Sequence, residues 1–175
     1  MYLTLISAGG AVLIGIEQLG LDARSLLWTG TLILLMLLIV GLVTFQRLIE
    51  RRTRATEYLR AINRVHRYFV DLDPSLKPYF YWPACDDVPS FGGNGGAFMG
   101  LRDVIAVLNS LFVGCLVVVI VIILWPGLGY TAAISLAVVA IAIAWFVHAR
   151  YERRNCCQAA TKAGKYVRFP KDEGE

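Results

Sequence analysis

The chain has 175 residues, of which 57% are hydrophobic and 17% charged, and its formal net charge at pH 7 is +4. This composition excludes an ordinary soluble domain, in which roughly a quarter of the residues are charged. The surplus of apolar residues predicts a protein that resides in lipid.

Most apolar residues lie in four blocks, each close to the roughly 20 residues that a helix needs to cross a bilayer. The blocks run from Tyr2 to Leu19, Ser25 to Phe45, Val104 to Trp125 and Tyr130 to His148. The last three blocks contain no Asp, Glu, Lys or Arg, which favours spanning helices over core helices. We therefore predict an all-α membrane protein with four transmembrane helices arranged as two hairpins.

The first block differs from a cleaved secretory signal, because no Lys or Arg precedes Arg24 and a signal has a basic region before its apolar run. We expect it to be retained as a spanning helix. Glu17 near its end is either solvated at the headgroup level or part of an ion path.

The second block continues without Gly or Pro into a basic amphipathic stretch from Arg47 to Phe69, which predicts one helix that projects from the bilayer. Its first arginines lie within two turns of the membrane and can bind anionic headgroups. Its later arginines lie roughly 20 Å beyond Phe45 at 1.5 Å per residue, so we expect them to bind an anionic ligand. The predicted headgroup set consists of Arg47, Arg51, Arg52, Arg153 and Arg154, the last two in the C-terminal tail. The predicted ligand set consists of Arg60, Arg64, Arg67 and Arg54. By its position, Arg54 also belongs near the headgroups.

The opposite side of this helix carries an apolar stripe made of Leu48, Ala55, Leu59, Ile62, Val65 and Phe69. In the following segment, Asp73 and Pro74 predict the start of a short helix, with a cap acceptor and a proline at the first position. The aromatic cluster from Tyr79 to Trp82 could stack on a nucleobase, but we expect it to pack against the stripe. Asp86 and Asp87 are expected in a surface turn.

A glycine-rich run from Phe91 to Gly100 directly precedes the third block. Its backbone N–H groups could hold a phosphate, or it could be a flexible connection at the membrane surface. It matches neither the P-loop nor the G-x-G-x-x-G pattern, so no diagnostic motif supports the phosphate interpretation.

The third block has one small and polar side, on which Arg102, Asn109 and Ser110 are the pore or interhelical candidates. An amide inside a spanning helix seeks a partner helix or water, so both interhelical bonding and a water-filled path are open. The fourth block has alanines at 133, 137, 140 and 144, which permit close packing within the chain or between copies.

The basic residues predict the sidedness of the protein. Of 17 Lys and Arg, nine lie between Arg47 and Arg102, seven lie from Arg150 onward, and Arg24 alone falls in an outer turn. The positive-inside rule then places both termini and the central segment in the cytosol. The predicted domains are hairpin 1 (1–46), a cytosolic basic helix and loop (47–103), hairpin 2 (104–149) and a basic cytosolic tail (150–175).

Catalysis, a cofactor and a metal site are not expected. His66 and His148 lie on different elements without partners at metal-ligand spacing, and no catalytic motif occurs. The four cysteines form no C-x-x-C pair and are expected to be reduced thiols.

In its layout, and in the basic stretch from Arg47 to Arg67, the chain resembles small multi-pass bacterial membrane effectors of antiphage defence. In that family cytosolic parts respond to nucleotides or short oligonucleotides, and membrane parts depolarise the cell. The later arginines and the polar side of the third block lead to the same hypothesis, a homo-oligomeric, ion-conducting effector gated by an anionic cytosolic ligand such as a nucleotide or single-stranded oligonucleotide. The resemblance implies that this effector lies in the bacterial inner membrane. The alternative is a non-channel scaffold whose cytosolic helix and aromatic loop dock a cytosolic partner protein.

Overall fold

The computed structural model describes residues 4, 7, 22–80, 84–92, 100–125 and 127–170, with the backbone alone for Ala23 and Arg24. Among the described residues, the long elements are three α-helices: α1 (Ala23–Leu72), α2 (Leu101–Leu124) and α3 (Tyr130–Gly164). A short 3-10 helix spans Pro74–Tyr79, and the described residues include no strand. The prediction of an all-α protein is confirmed.

All three α-helices are long and apolar enough to cross a membrane. Only 6%, 22% and 17% of the residues in their most apolar stretches are buried in the chain, so their hydrocarbon surface requires lipid. The chain is therefore a membrane protein. The first predicted span, from Tyr2 to Leu19, lies outside the described residues except for Thr4 and Ser7, and the arrangement of four spans as two hairpins stays a prediction.

Helix α1 runs for 50 residues without a proline that would interrupt its hydrogen bonds, and its threonine hydroxyls bond within the helix. The Oγ1 atoms of Thr31, Thr44 and Thr53 each donate to the carbonyl four residues earlier, at 2.7–3.0 Å. The predicted continuous helix beyond the second apolar block is confirmed.

The short 3-10 helix begins where the sequence predicts it. Asp73 precedes Pro74 and accepts a hydrogen bond from the backbone N–H of Ser75 at 3.0 Å. Hydrogen bonds from the side chain and backbone of Ser75 lower the pKa of the Asp73 carboxyl below its ordinary value.

The chain divides into two compact units. The first, which we call the membrane unit, comprises Met1–Arg47 and Met99–Ala149, and the second, the polar unit, comprises Leu48–Phe98 and Arg150–Glu175. Helices α1 and α3 each contribute residues to both units.

In the membrane unit, α2 and α3 pack closely at Gly114. A Cβ atom added there would lie 2.6 Å from Cγ1 of Ile141 and 3.4 Å from the carbonyl oxygen of Ala137. Ala133 and Ala137 are buried, so part of the alanine stripe packs within the chain. The rings of Phe45 and His148 meet edge to face at 4.9 Å.

The polar unit contains the end of α1, the 3-10 helix, a loop from 84 to 92, the end of α3 and a C-terminal segment from 165 to 170. Arg52 of α1 lies 3.6 Å from Glu152 of α3, and this ion pair links the two helices. The remaining contacts of the unit form the candidate site.

Candidate functional site

The polar side of α1 is buried in the polar unit. Thr56, Arg60 and Asn63 recur at helical spacing, and Arg60 is only 8% and Asn63 only 4% exposed. Arginine and asparagine are seldom this buried unless their polar atoms have partners, because desolvating an unpaired polar group costs several kcal/mol, on the order of 2–7 for an amide.

Arg60 finds its partners in the loop from 84 to 92. Its Nε donates to the carbonyl oxygen of Pro89 at 3.1 Å, and its Nη2 donates to the carbonyl oxygen of Asp87. Its guanidinium carbon lies 4.6 Å from the ring centroid of Phe91, a cation–π contact. Arg60 thus fixes both the backbone and a side chain of the loop.

Asn63 acts on the same loop. Its Nδ2 donates to the carbonyl oxygen of Cys85 at 3.0 Å and to that of Val88 at 2.8 Å. Buried carbonyl groups outside regular structure need donors from elsewhere, and Asn63 and Arg60 together supply four such bonds.

Asp86 joins the loop to two further elements. Its carboxylate has no solvent exposure and lies 3.1 Å from Nε of Arg64. The backbone N–H groups of Arg168 and Phe169 donate to it at 3.0–3.2 Å, while the N–H of Asp86 donates to the carbonyl oxygen of Phe169 at 2.9 Å. The C-terminal segment is therefore held against the loop. Asp86 lies in a turn, as expected, but it is buried and not at the surface.

Two further residues of α1, His66 and Arg67, contact neighbouring residues of the polar unit. Arg67 pairs with Asp71 through Nε and Oδ1 at 2.9 Å, and its guanidinium lies 5.7 Å from the ring centroid of Phe169. The imidazole of His66 stacks on the ring of Phe80 at 4.6 Å.

The predicted ligand-binding arginines thus have different environments. Arg60 and Arg64 hold the loop and the C-terminal segment, Arg67 is partly exposed beside Asp71, and Arg54 is exposed. Binding of an anionic ligand by these residues stays a prediction. Of the predicted headgroup set, Arg52 pairs with Glu152, whereas the others are exposed; these are Arg47, Arg51, Arg153 and Arg154.

The expected packing of the aromatic cluster on the apolar stripe is wrong for Tyr79, which is 84% exposed. The ring of Phe80 stacks on His66. Leu59, Ile62 and Phe69 remain exposed because the loop bonds to the opposite, polar side of α1. Positions 81 to 83 lie outside the described residues.

The side of α1 that the described residues leave exposed is an apolar surface in the polar unit. Its seven large side chains are between 37% and 71% exposed. We call this surface the apolar face; it consists of Tyr58, Leu59, Ile62, Val65, Tyr68, Phe69 and Leu72. An exposed apolar patch of this kind marks a surface that binds another molecule.

In the membrane unit, the small and polar side of α2 is buried. Asn109 has 0% and Ser110 1% exposure, and the Oγ of Ser110 donates to the carbonyl oxygen of Ala106 at 2.8 Å. Arg102 instead pairs with Asp103, with Nη2 and Oδ1 2.7 Å apart. The structure therefore brings Asn109 and Ser110 into one buried side and gives Arg102 a separate partner.

The described residues include no group of three or more His, Cys, Asp or Glu that could hold a metal ion. Most of the glycine-rich run, positions 93 to 99, lies outside the described residues, so its proposed phosphate contact is untested.

The role of Asn63 was not predicted from the sequence. Its position three residues after Arg60 places it on the same, polar side of the helix, and this spacing indicates that the two residues share a site. Comparison with protein families, with curated proteins and with solved structures found no match to this chain.

Proposed function

We propose that the protein is a membrane scaffold: its apolar helices anchor it in the bilayer, and the apolar face of α1 binds protein at the cytosolic surface. The observation that supports this proposal is the exposure of seven large apolar side chains on one helix whose opposite side is already filled.

The energetics of the apolar face favour an occupant. Exposed apolar surface costs about 25 cal/mol per Å² relative to a buried state, and contiguous patches are uncommon on proteins that act alone. The loop and the C-terminal segment cannot supply the missing cover while Arg60, Asn63 and Asp86 hold them on the other side. Another polypeptide with apolar side chains would cover it.

The conducting effector receives less support from these contacts. Asn109 and Ser110 are buried among the helices of a single copy, so lining an aqueous path would require them to turn outward. Arg60 would have to give up its loop partners to bind a nucleotide. The side chains of Arg64 and Arg67 are 40% and 43% exposed, and each pairs with a carboxylate, so an anion that bound them would compete with Asp86 or Asp71. Arg54 is exposed.

The cytosolic location of the apolar face is part of the proposal and follows from the distribution of Lys and Arg. Both termini share that side only if the number of spans is even. The block from Tyr2 to Leu19 must therefore cross the membrane together with α1, α2 and α3.

Two measurements on the purified full-length protein test the scaffold. In liposomes, we expect no ion flux with or without added nucleotide or single-stranded oligonucleotide. In nanodiscs, we expect Val65→Glu to abolish protein association, because a carboxylate in the apolar face would be desolvated by a partner. Tyr79→Glu is the control, since Tyr79 is exposed but lies on the 3-10 helix.

Ion flux by the purified protein, together with unchanged association in Val65→Glu, would contradict the scaffold and restore the conducting effector.

A further inference from the structure

We infer that the apolar face binds the same face of a second copy of the chain, forming a parallel two-helix pair. This inference rests on the proposed scaffold and names the first protein that the scaffold binds.

The spacing of the apolar face carries the inference. Tyr58, Ile62, Val65, Phe69 and Leu72 follow one another at intervals of four, three, four and three residues. This alternation repeats every seven residues, which is the spacing of the seam in a two-stranded coiled coil, where each seam residue lies beside its counterpart. A second copy supplies the complementary surface without any other partner.

Charge does not oppose the pairing of identical copies. The positions that flank the seam are Leu59, Ala61, His66 and Tyr68, and none carries a fixed charge. The charged side chains of this stretch are Glu57, Arg60, Arg64, Arg67 and Asp71, and those of Arg60, Arg64 and Arg67 are engaged with the loop, Asp86 or Asp71. Two copies can therefore approach without bringing like charges together at the seam.

The membrane favours a parallel pair in register. Helix α1 passes without a break from its membrane stretch to Leu72, so copies inserted in the same direction present the same residue at the same height. Confinement to one bilayer also raises the effective concentration of the second copy, which compensates for the short length of the seam.

The area of the apolar face is adequate for such a pair. An aromatic side chain can bury roughly 150–250 Å², and three of the seven half-exposed side chains are aromatic. The face therefore offers several hundred Å², the same order as the roughly 800 Å² that one partner contributes to a specific interface.

Cysteine cross-linking in native membranes tests the inference. The background variant replaces the accessible thiols Cys115, Cys156 and Cys157 by serine and keeps the buried Cys85. Into it we place Ile62→Cys, Val65→Cys or Phe69→Cys, and as control Asp71→Cys, which is exposed outside the seam.

We expect each seam cysteine to form a disulfide dimer about tenfold more than Asp71→Cys, because only counterparts in the seam reach disulfide distance. All four substitutions are at exposed positions, so loss of folding does not complicate the comparison.

Equal cross-linking of seam and control cysteines, or none at any position, would overturn the self-pairing. If the seam cysteines instead form an adduct with a different protein and Val65→Glu abolishes that adduct, the self-pairing is wrong while the scaffold stands. If no adduct forms and the liposomes conduct ions, the scaffold itself is wrong.

Discussion

The Nε atom of Arg64 lies 3.1 Å from Oδ2 of Asp86, and the side chain of Asp86 has no solvent exposure. The same carboxylate accepts the backbone N–H groups of Arg168 and Phe169. A buried charge persists in a fold when it is paired and hydrogen-bonded, and Asp86 meets both conditions. This one side chain therefore connects α1, the loop from 84 to 92 and the C-terminal segment.

We expect Asp86→Asn to destabilise the polar unit by about 2–4 kcal/mol, because the amide removes the charge and turns an N–H group toward donors. Hydrogen exchange should show that the amides of Arg168 and Phe169 lose protection first. The matched control is Asp71→Asn, which breaks an exposed ion pair with Arg67 and should cost about 0.5 kcal/mol or less. Unchanged protection at Arg168 and Phe169 in Asp86→Asn would contradict the role of Asp86.

The sequence was sufficient to predict the length of α1, because no proline occurs before Pro74 and Asp73 can cap the next turn. It also separated the polar side of that helix from the apolar side. It could not show which side the chain itself covers. That depends on contacts between Arg60 and Pro89 and between Asn63 and Cys85, which are 29 and 22 residues apart, whereas periodicity is a local property.

Hydrogen bonding explains why the chain buries the polar side of α1 and leaves its apolar side exposed. The loop from 84 to 92 forms no helix or strand, so its buried carbonyl groups need donors that apolar side chains cannot provide. Arg60 and Asn63 provide them, and the loop therefore packs on the polar side of α1. Hydrophobicity predicts burial only where such donors are not required.

Arg60→Lys tests the structural role of the buried guanidinium. Lysine keeps the charge but loses the planar group that reaches two carbonyls and lies over Phe91. We expect a loss of about 1–3 kcal/mol, measured by thermal unfolding in detergent, whereas Arg54→Lys at an exposed position should have little effect. An unchanged melting temperature combined with weaker oligonucleotide binding would instead place Arg60 in a ligand site.

Gly114→Val tests the close approach of α2 and α3. A Cβ at this position would lie 2.6 and 2.7 Å from the Cγ1 and Cδ1 atoms of Ile141, so the helices must separate or repack, at a cost of about 1–3 kcal/mol. Gly127→Ala is the control, since nothing lies within 4 Å of a Cβ there. Unfolding by SDS titration should show the difference, and Ile141→Ala should partly restore the stability of Gly114→Val. Failure of this second change to compensate would mean that the contact does not limit packing.

Reporter fusions test the proposed sidedness. We expect a fluorescent protein fused at the N-terminus or after Glu175 to fluoresce, and alkaline phosphatase inserted between α2 and α3, near Gly127, to be active. Phosphatase activity at the N-terminus with fluorescence at the C-terminus would mean that the block from Tyr2 to Leu19 does not cross the membrane.

Asn109→Leu distinguishes a packing role from a conducting one. Asn109 is fully buried within the membrane unit, and polar contacts between membrane helices contribute about 0.6 kcal/mol on average and up to about 1.7. We therefore expect a modest loss of stability in SDS titration and the same absence of ion flux as in the unsubstituted protein. Val107→Leu, on the exposed side of the same helix, controls for the added hydrocarbon. A change in flux without a change in stability would show that Asn109 faces a water-filled path, and the conducting effector would then be the better description of the protein.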